Sequence, residues 1–160
     1  MAGWACIFTP MNNYLVINDN GDAFRVTPTN ADTYADLSAL VDGYIEAVSL
    51  PGGVVAWVNE EGLFRQDFAL NLVGSLIALQ WTGYAHKLVG PVVFAGEKAT
   101  SSGNITVPCP EGFILNETVN NGLVLTPADG SPYHHRGEWS VAECAARMAE
   151  SRRIYMEARA

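Results

Sequence analysis

The block Asn59-Glu60-Glu61-Gly62 and the single acid Glu46 are the residues of this 160-residue chain whose types most readily suggest chemistry. Adjacent carboxylates suit general acid/base work or an oxygen-rich cation site. Consecutive turn residues point apart, however, and Asn and Gly are what a tight reversal requires, which leaves Glu60 and Glu61 solvated at its tip. Glu46 lies among apolar neighbours in a strand-like run. Alternation there gives it a solvent-facing position or a partly buried one at a site. His134 and His135, with Cys109 or Cys144, are zinc-ligand types, but neighbouring histidines rarely reach one ion and no second pair stands at finger-like spacing. The chain has no G-x-S-x-G elbow, no G-x-G-x-x-G and no G-x-x-x-x-G-K phosphate loop. No catalytic residue, metal or cofactor is therefore assigned, and binding is expected in place of catalysis.

The candidates for binding are aromatic and basic. Trp81, Tyr84 and Trp139 fall in or beside loops, where aromatics line pockets and anchor interfaces. Trp57, inside a strand, reads as core. His86 reads as a loop or interface residue. The Trp81–His86 loop, Trp139 and the block His134-His135-Arg136 make one candidate pocket. Asn59, Glu60 and Glu61, and separately Glu46, are further candidates for contact with a ligand or partner.

Charge narrows the partners. Seventeen acids against nine Lys and Arg give a net charge of −8. That opposes nucleic-acid binding, which needs clustered cations, and it is too thin for a mimic of nucleic acid. Hydrophobic residues at 49% and charged residues at 16% fit one globular domain over residues 1–160. No run approaches the ~18 apolar residues of a membrane span. The first nineteen residues lack a basic segment followed by an apolar one, so no signal peptide is expected. Cys6, Cys109 and Cys144 are an odd set without C-x-x-C spacing, which fits reduced thiols in the cytoplasm. The sparsely charged surface with candidate exposed aromatics leaves a homodimer open.

Elements must hold these residues in place. Residues 14–18 and 23–27 flank Asp19-Asn20-Gly21-Asp22 as a hairpin; the loop lacks the glutamate of a calcium site. Residues 30–41 read as a helix capped by Thr29 or Asn30. Residues 44–50 and 54–58 read as strands joined by Pro51-Gly52-Gly53, whose glycines supply the positive φ of a short reversal. Residues 68–79 show near-helical spacing, with Asn71 as a cap within it and Gly74 weakening it by about 1 kcal/mol. Residues 81–86 read as a loop, and 88–95 as a strand with Pro91 at an edge or bulge. Residues 96–103 read as a mobile loop. Short strands are expected at 105–107, 113–115 and 123–126. Residues 140–158 are the clearest helix. It opens on the capping box Ser140 to Glu143, with Val141, Cys144, Ala145, Met148 and Tyr155 as its apolar stripe. Arg147, Arg152, Arg153 and Arg159 read as a solvated basic half. The expected fold is α+β: a single domain whose mostly antiparallel sheet is packed by the helix at 30–41 and the C-terminal helix.

Three blocks, in order, carry a resemblance: Gly43-Tyr44-Ile45-Glu46, Val58-Asn59-Glu60-Glu61-Gly62-Leu63 and Leu88-Val89-Gly90-Pro91-Val92-Val93. Over about residues 36–96 the chain resembles the family called domain of unknown function 3846. Such domains have a proline-rich, PPN-like segment after the N-E-E-G turn; here it is Phe68-Ala69-Leu70-Asn71, in which only Asn71 matches. The resemblance implies a phage or mobile-element origin and no reaction. The expectation is a non-enzymatic accessory protein that binds a host protein in the cytoplasm. A domain sequestering a small molecule or nucleotide signal comes second. A hydrolase built on Glu46, Glu60, Glu61 and the histidines comes last.

Overall fold

The structure, a computed structural model, describes residues 13–110 and 134–159. The predicted hairpins supply its first strands. Strands β1 (Tyr14–Ile17) and β2 (Asp22–Thr27) pair antiparallel around the Asn20-Gly21 turn, and β3 (Ile45–Leu50) and β4 (Val54–Asn59) pair around Pro51-Gly52-Gly53. Strands β5 (Val92–Thr100) and β6 (Gly103–Val107) form a third hairpin, and β7 (His134–Ser140) lies parallel to β2. The sheet runs β3-β4-β5-β1-β2-β7, with β6 also on β5. It is mostly antiparallel, as expected.

Side-chain alternation splits the core in two. Leu15, Ile17, Val92 and Phe94 face one way; Tyr14, Val16, Val93 and Ala95 face the other. Helix α1 (Thr33–Val41) and helix α3 (Val141–Arg159) cover the second face, through Leu37, Leu40 and Val41 and through Val141, Cys144 and Met148. Helix α2 (Leu72–Thr82) covers the first through Ile77 and Ala78. The sheet is thus packed on both sides: the helices expected to pack it, at 30–41 and 140–158, share one face, and the segment of near-helical spacing at 68–79 supplies the helix on the other. Phe24 and Phe94 are wholly buried, each contributing about 2–3 kcal/mol of apolar transfer.

Several boundaries moved for local reasons. Helix α1 starts at Thr33 because Asp32 accepts from the Ala35 amide at 3.1 Å, while Asn30 sits at φ 63°, outside any helix. The buried Asp36 then ties the approach down, accepting from the Thr29 amide at 3.0 Å and its hydroxyl at 2.8 Å. Asn71 does cap α2, accepting from the Gly74 amide at 2.8 Å. A Cβ on Gly74 would stand 2.9 Å from Asn71 Oδ1 and 3.3 Å from Val92, so the residue that weakens the helix permits its close approach to the sheet. Trp81 and Thr82 are the end of α2 and not loop, and Gly83 closes it. The strand expected at 88–95 begins after Pro91, and the expected loop at 96–103 is the β5–β6 hairpin. The strands expected at 113–115 and 123–126 lie outside the described residues. At α3, Ser140 and Glu143 form the expected capping box, the Glu143 amide donating to Ser140 Oγ at 3.1 Å and the Ser140 amide to Glu143 Oε1 at 3.3 Å.

Candidate functional site

The turn after β4 is fastened from inside by one side chain. Asn59, 6% exposed, donates from Nδ2 to the Val41 carbonyl at 3.0 Å and the Asp42 carbonyl at 3.1 Å, and its Oδ1 accepts from the Glu61 amide at 2.8 Å. It therefore satisfies the carbonyls left open at the C-terminal end of α1. A Cβ on Gly43, at φ 154°, would come within 2.7 Å of that Nδ2, so glycine leaves room for the amide. The Glu60 amide donates to the Tyr44 carbonyl at 2.8 Å, which continues the β3–β4 ladder into the turn.

Outside this fastened turn lies a pocket of about 210 Å³. Val48, Val58, Leu88 and Val89 give it apolar walls; Glu46, Glu60 and Lys87 give it charge. Glu46 stands opposite Val58 in the ladder, on the edge strand of the sheet. Leu63 also lines the pocket. It belongs to a single 3-10 turn, Gly62–Phe64, and is 68% exposed, Phe64 86%; Tyr44, on the other side of the ladder end, is 67% exposed. Among the described residues, Glu46, Glu60 and Lys87 form no ion pair and no side-chain hydrogen bond. The pocket thus unites three charged side chains, without partners among the described residues, beside three exposed large apolar ones.

A second polar cluster follows within a few residues. Arg65 grips Asp67 with two hydrogen bonds of 2.7 Å, from Nε and Nη2. Its guanidinium also donates to the Asp42 carboxylate at 2.9 Å and to the Asp42 carbonyl at 3.1 Å. Arg152 of α3 approaches the same acids, 3.7 Å from Asp42 and 4.0 Å from Asp67. Arg65 and Arg152 lie 4.1 and 5.7 Å from the ring centre of the buried Phe68. The Arg65 hydrogen bonds hold the Asp67 carboxyl below its usual pKa, and the Asp67 bond raises that of Arg65. Asp19 accepts from the Ala69 amide at 2.9 Å, yet burial raises its pKa. The expected solvated basic half of α3 is therefore wrong at Arg152, whose side chain is 10% exposed. Packing against Phe68 and pairing with Asp42 and Asp67 draw it inward.

The predicted site residues divide accordingly. Glu46, Asn59 and Glu60 meet at the pocket; Glu61 is exposed on the same turn and does not line it. Trp81 packs on the α2 face and donates from its indole to the Pro51 carbonyl at 2.6 Å, whereas Trp139 packs on the opposite face, edge-on to Phe24 at 5.3 Å. The two cannot line one pocket, because the sheet stands between them. Tyr84 is 72% exposed, and His86 Nδ1 lies 2.9 Å from the Tyr84 carbonyl, within the turn itself. His134, His135 and Arg136 belong to edge strand β7. Burial pushes the Cys109 and Cys144 thiols up to about 12, so neither is a ready nucleophile or ligand at neutral pH. Among the described residues no group of acids, histidines or cysteines is arranged to hold a metal. None of their helices is long and apolar enough to cross a membrane. Lys87, Leu63 and Phe64 were not singled out from sequence. The available signal was two large apolar residues directly after a charged turn, where solvation alone would not place them.

A family profile described as Domain of unknown function (DUF3846) matches residues 11–112, well over half of the chain and a longer span than the three sequence blocks indicated. No curated protein and no solved structure gives a significant match.

Proposed function

The chain belongs to the DUF3846 family, and on that premise we propose that it is a non-enzymatic accessory protein of a phage or mobile element that binds a host protein in the host cytoplasm. The observation that carries the reading is the corner formed by Tyr44, Leu63 and Phe64 beside the pocket of Glu46, Glu60 and Lys87. A projecting turn that exposes a phenylalanine at 86% is poor use of apolar surface in a free monomer, and such residues act as anchors when a partner covers them. The charges beside it, which have no partner among the described residues, supply specificity. The test is affinity capture from bacterial host lysate with mass spectrometry. Wild-type bait is expected to retain a specific protein, and Leu63→Ser with Phe64→Ser to lose it by tenfold or more. A folded wild-type bait that retains nothing above background would refute the reading.

The second reading is capture of a small molecule in the same pocket. Its mixed charged and apolar lining favours this, but about 210 Å³ is below the roughly 300–1,000 Å³ of most small-molecule sites. A thermal-shift panel of nucleotides, dinucleotides and amino acids tests it, and a flat response across the panel excludes it.

A further inference from the structure

We infer that the pocket beside β3 receives one basic side chain, lysine or arginine, from the protein partner. This inference rests on the partner-binding reading of the same corner and names the chemistry of the occupant. Three features of the pocket converge. Its volume of about 210 Å³ has room for one lysine or arginine side chain and is small for a larger ligand. Its walls, Val48, Val58, Leu88 and Val89, are apolar and suit a methylene stem. Its charge comes from two carboxylates, Glu46 and Glu60, against one ammonium, Lys87. Apolar walls beside an excess of carboxylate charge match a side chain whose stem is hydrocarbon and whose tip is cationic. A purely apolar residue would strip water from both carboxylates with no compensation, and an acidic one would face them. Tyr44 and Phe64, exposed at the ends of the same corner, would cover the flanks of the inserted segment. The chain's net charge of −8 steers a basic segment toward it.

Tests use n-butylguanidinium and n-butylammonium as side-chain probes, with valerate and n-butanol as controls, followed by amide chemical shifts of the full chain. Both cations are expected to shift the Gly62, Leu88 and Val89 amides with millimolar saturation, and the controls not. Glu46→Gln with Glu60→Gln should weaken the cations at least tenfold, and Lys87→Met should tighten them two- to threefold. All three substitutions lie at exposed positions, and unchanged shift dispersion verifies that each variant is folded. Equal shifts from valerate, or cation binding unchanged in the Glu46→Gln, Glu60→Gln variant, would overturn the inference. Lysate capture separates the two claims. A partner retained equally by wild type and by that variant overturns the basic-side-chain inference and leaves partner binding intact. A partner lost from the variant and displaced by n-butylguanidinium supports both.

Discussion

Two polar clusters meet at the corner between β4 and α2, and they differ in where their partners are. On one side, Asn59, Arg65, Asp67, Asp42 and Arg152 bond to one another or to backbone, with contacts of 2.7 to 4.0 Å. On the other, Glu46, Glu60 and Lys87 line a pocket and have no such partner among the described residues. Asn59 and Glu60 are neighbours in sequence with opposite fates. The difference separates residues that the fold requires from residues that it merely displays. A buried polar group left without its partner costs about 1–3 kcal/mol, whereas an exposed one costs nothing measurable. Stability measurements can therefore assign each residue to its side.

The largest effect is expected at Asn71, the extreme of the engaged class. It is wholly buried; its Nδ2 donates to the Ile17 and Gly90 carbonyls at 2.8 Å each, and its Oδ1 caps α2. Asn71→Ala strands two buried carbonyls and one amide, at an expected loss of about 4 kcal/mol in urea unfolding. A loss below about 1 kcal/mol would break the comparison at its strongest point. Asn59→Ala comes next, at about 2–3 kcal/mol, since it strands the Glu61 amide and weakens the seal on α1 while the Asp42 carbonyl keeps Arg65.

Acid titration sharpens the comparison within the Arg65 cluster. The Arg65 hydrogen bonds depress the folded pKa of Asp67 below its unfolded value of about 4. Its contribution is thus complete above that pH and fades as pH falls through the folded value. Asp19 has the opposite sign. Burial raises its folded pKa, so its contribution is complete below the unfolded value and is lost as pH rises through the folded one. Urea unfolding between pH 2 and 6 should show a shallower acid-side fall for Asp67→Asn than for wild type, and a steeper dependence for Asp19→Asn. The same slope in both variants would contradict the assignment.

How far sequence reached depended on whether the signal was local. The capping box at Ser140 and Glu143 and the turns at Asn20-Gly21 and Gly52-Gly53 rest on adjacent residues, and all were legible. Helix α2 was half legible: Asn71 was recognised as its cap, but Gly74 argued against the helix because its reason, the approach of Val92, is a tertiary contact. Strand β7 was not legible, for His134-His135-Arg136-Gly137-Glu138 has neither alternation nor apolar content, and its pairing with β2 comes from far along the chain. At the site, Glu46 and Glu60 were legible as carboxylates in a strand and a turn. Their union with Lys87 was not, because it depends on the segment before β5 folding back over β4. The inward turn of Arg152 was hidden for the same reason: a helical arginine with acids nearby in sequence reads as solvated, and its partners, Asp42 and Asp67, come from other elements.

The smallest expected stability effects belong to the displayed side, and there a null result carries the information. Glu60→Gln removes a charge that no described residue pairs with, while the Glu60 amide keeps its bond to the Tyr44 carbonyl. The change in unfolding free energy should lie within about 0.5 kcal/mol. Leu63→Ser, at a position 68% exposed, should be equally silent. Silence in stability with loss of partner capture places these residues in recognition. A loss of 1 kcal/mol or more at Glu60 would instead mean that its carboxylate supports the turn, as the Asn59 amide does from inside. The contrast between the two clusters would then be one of degree. The measurement is the same urea series used for Asn59→Ala, so the neighbouring positions are compared under one condition.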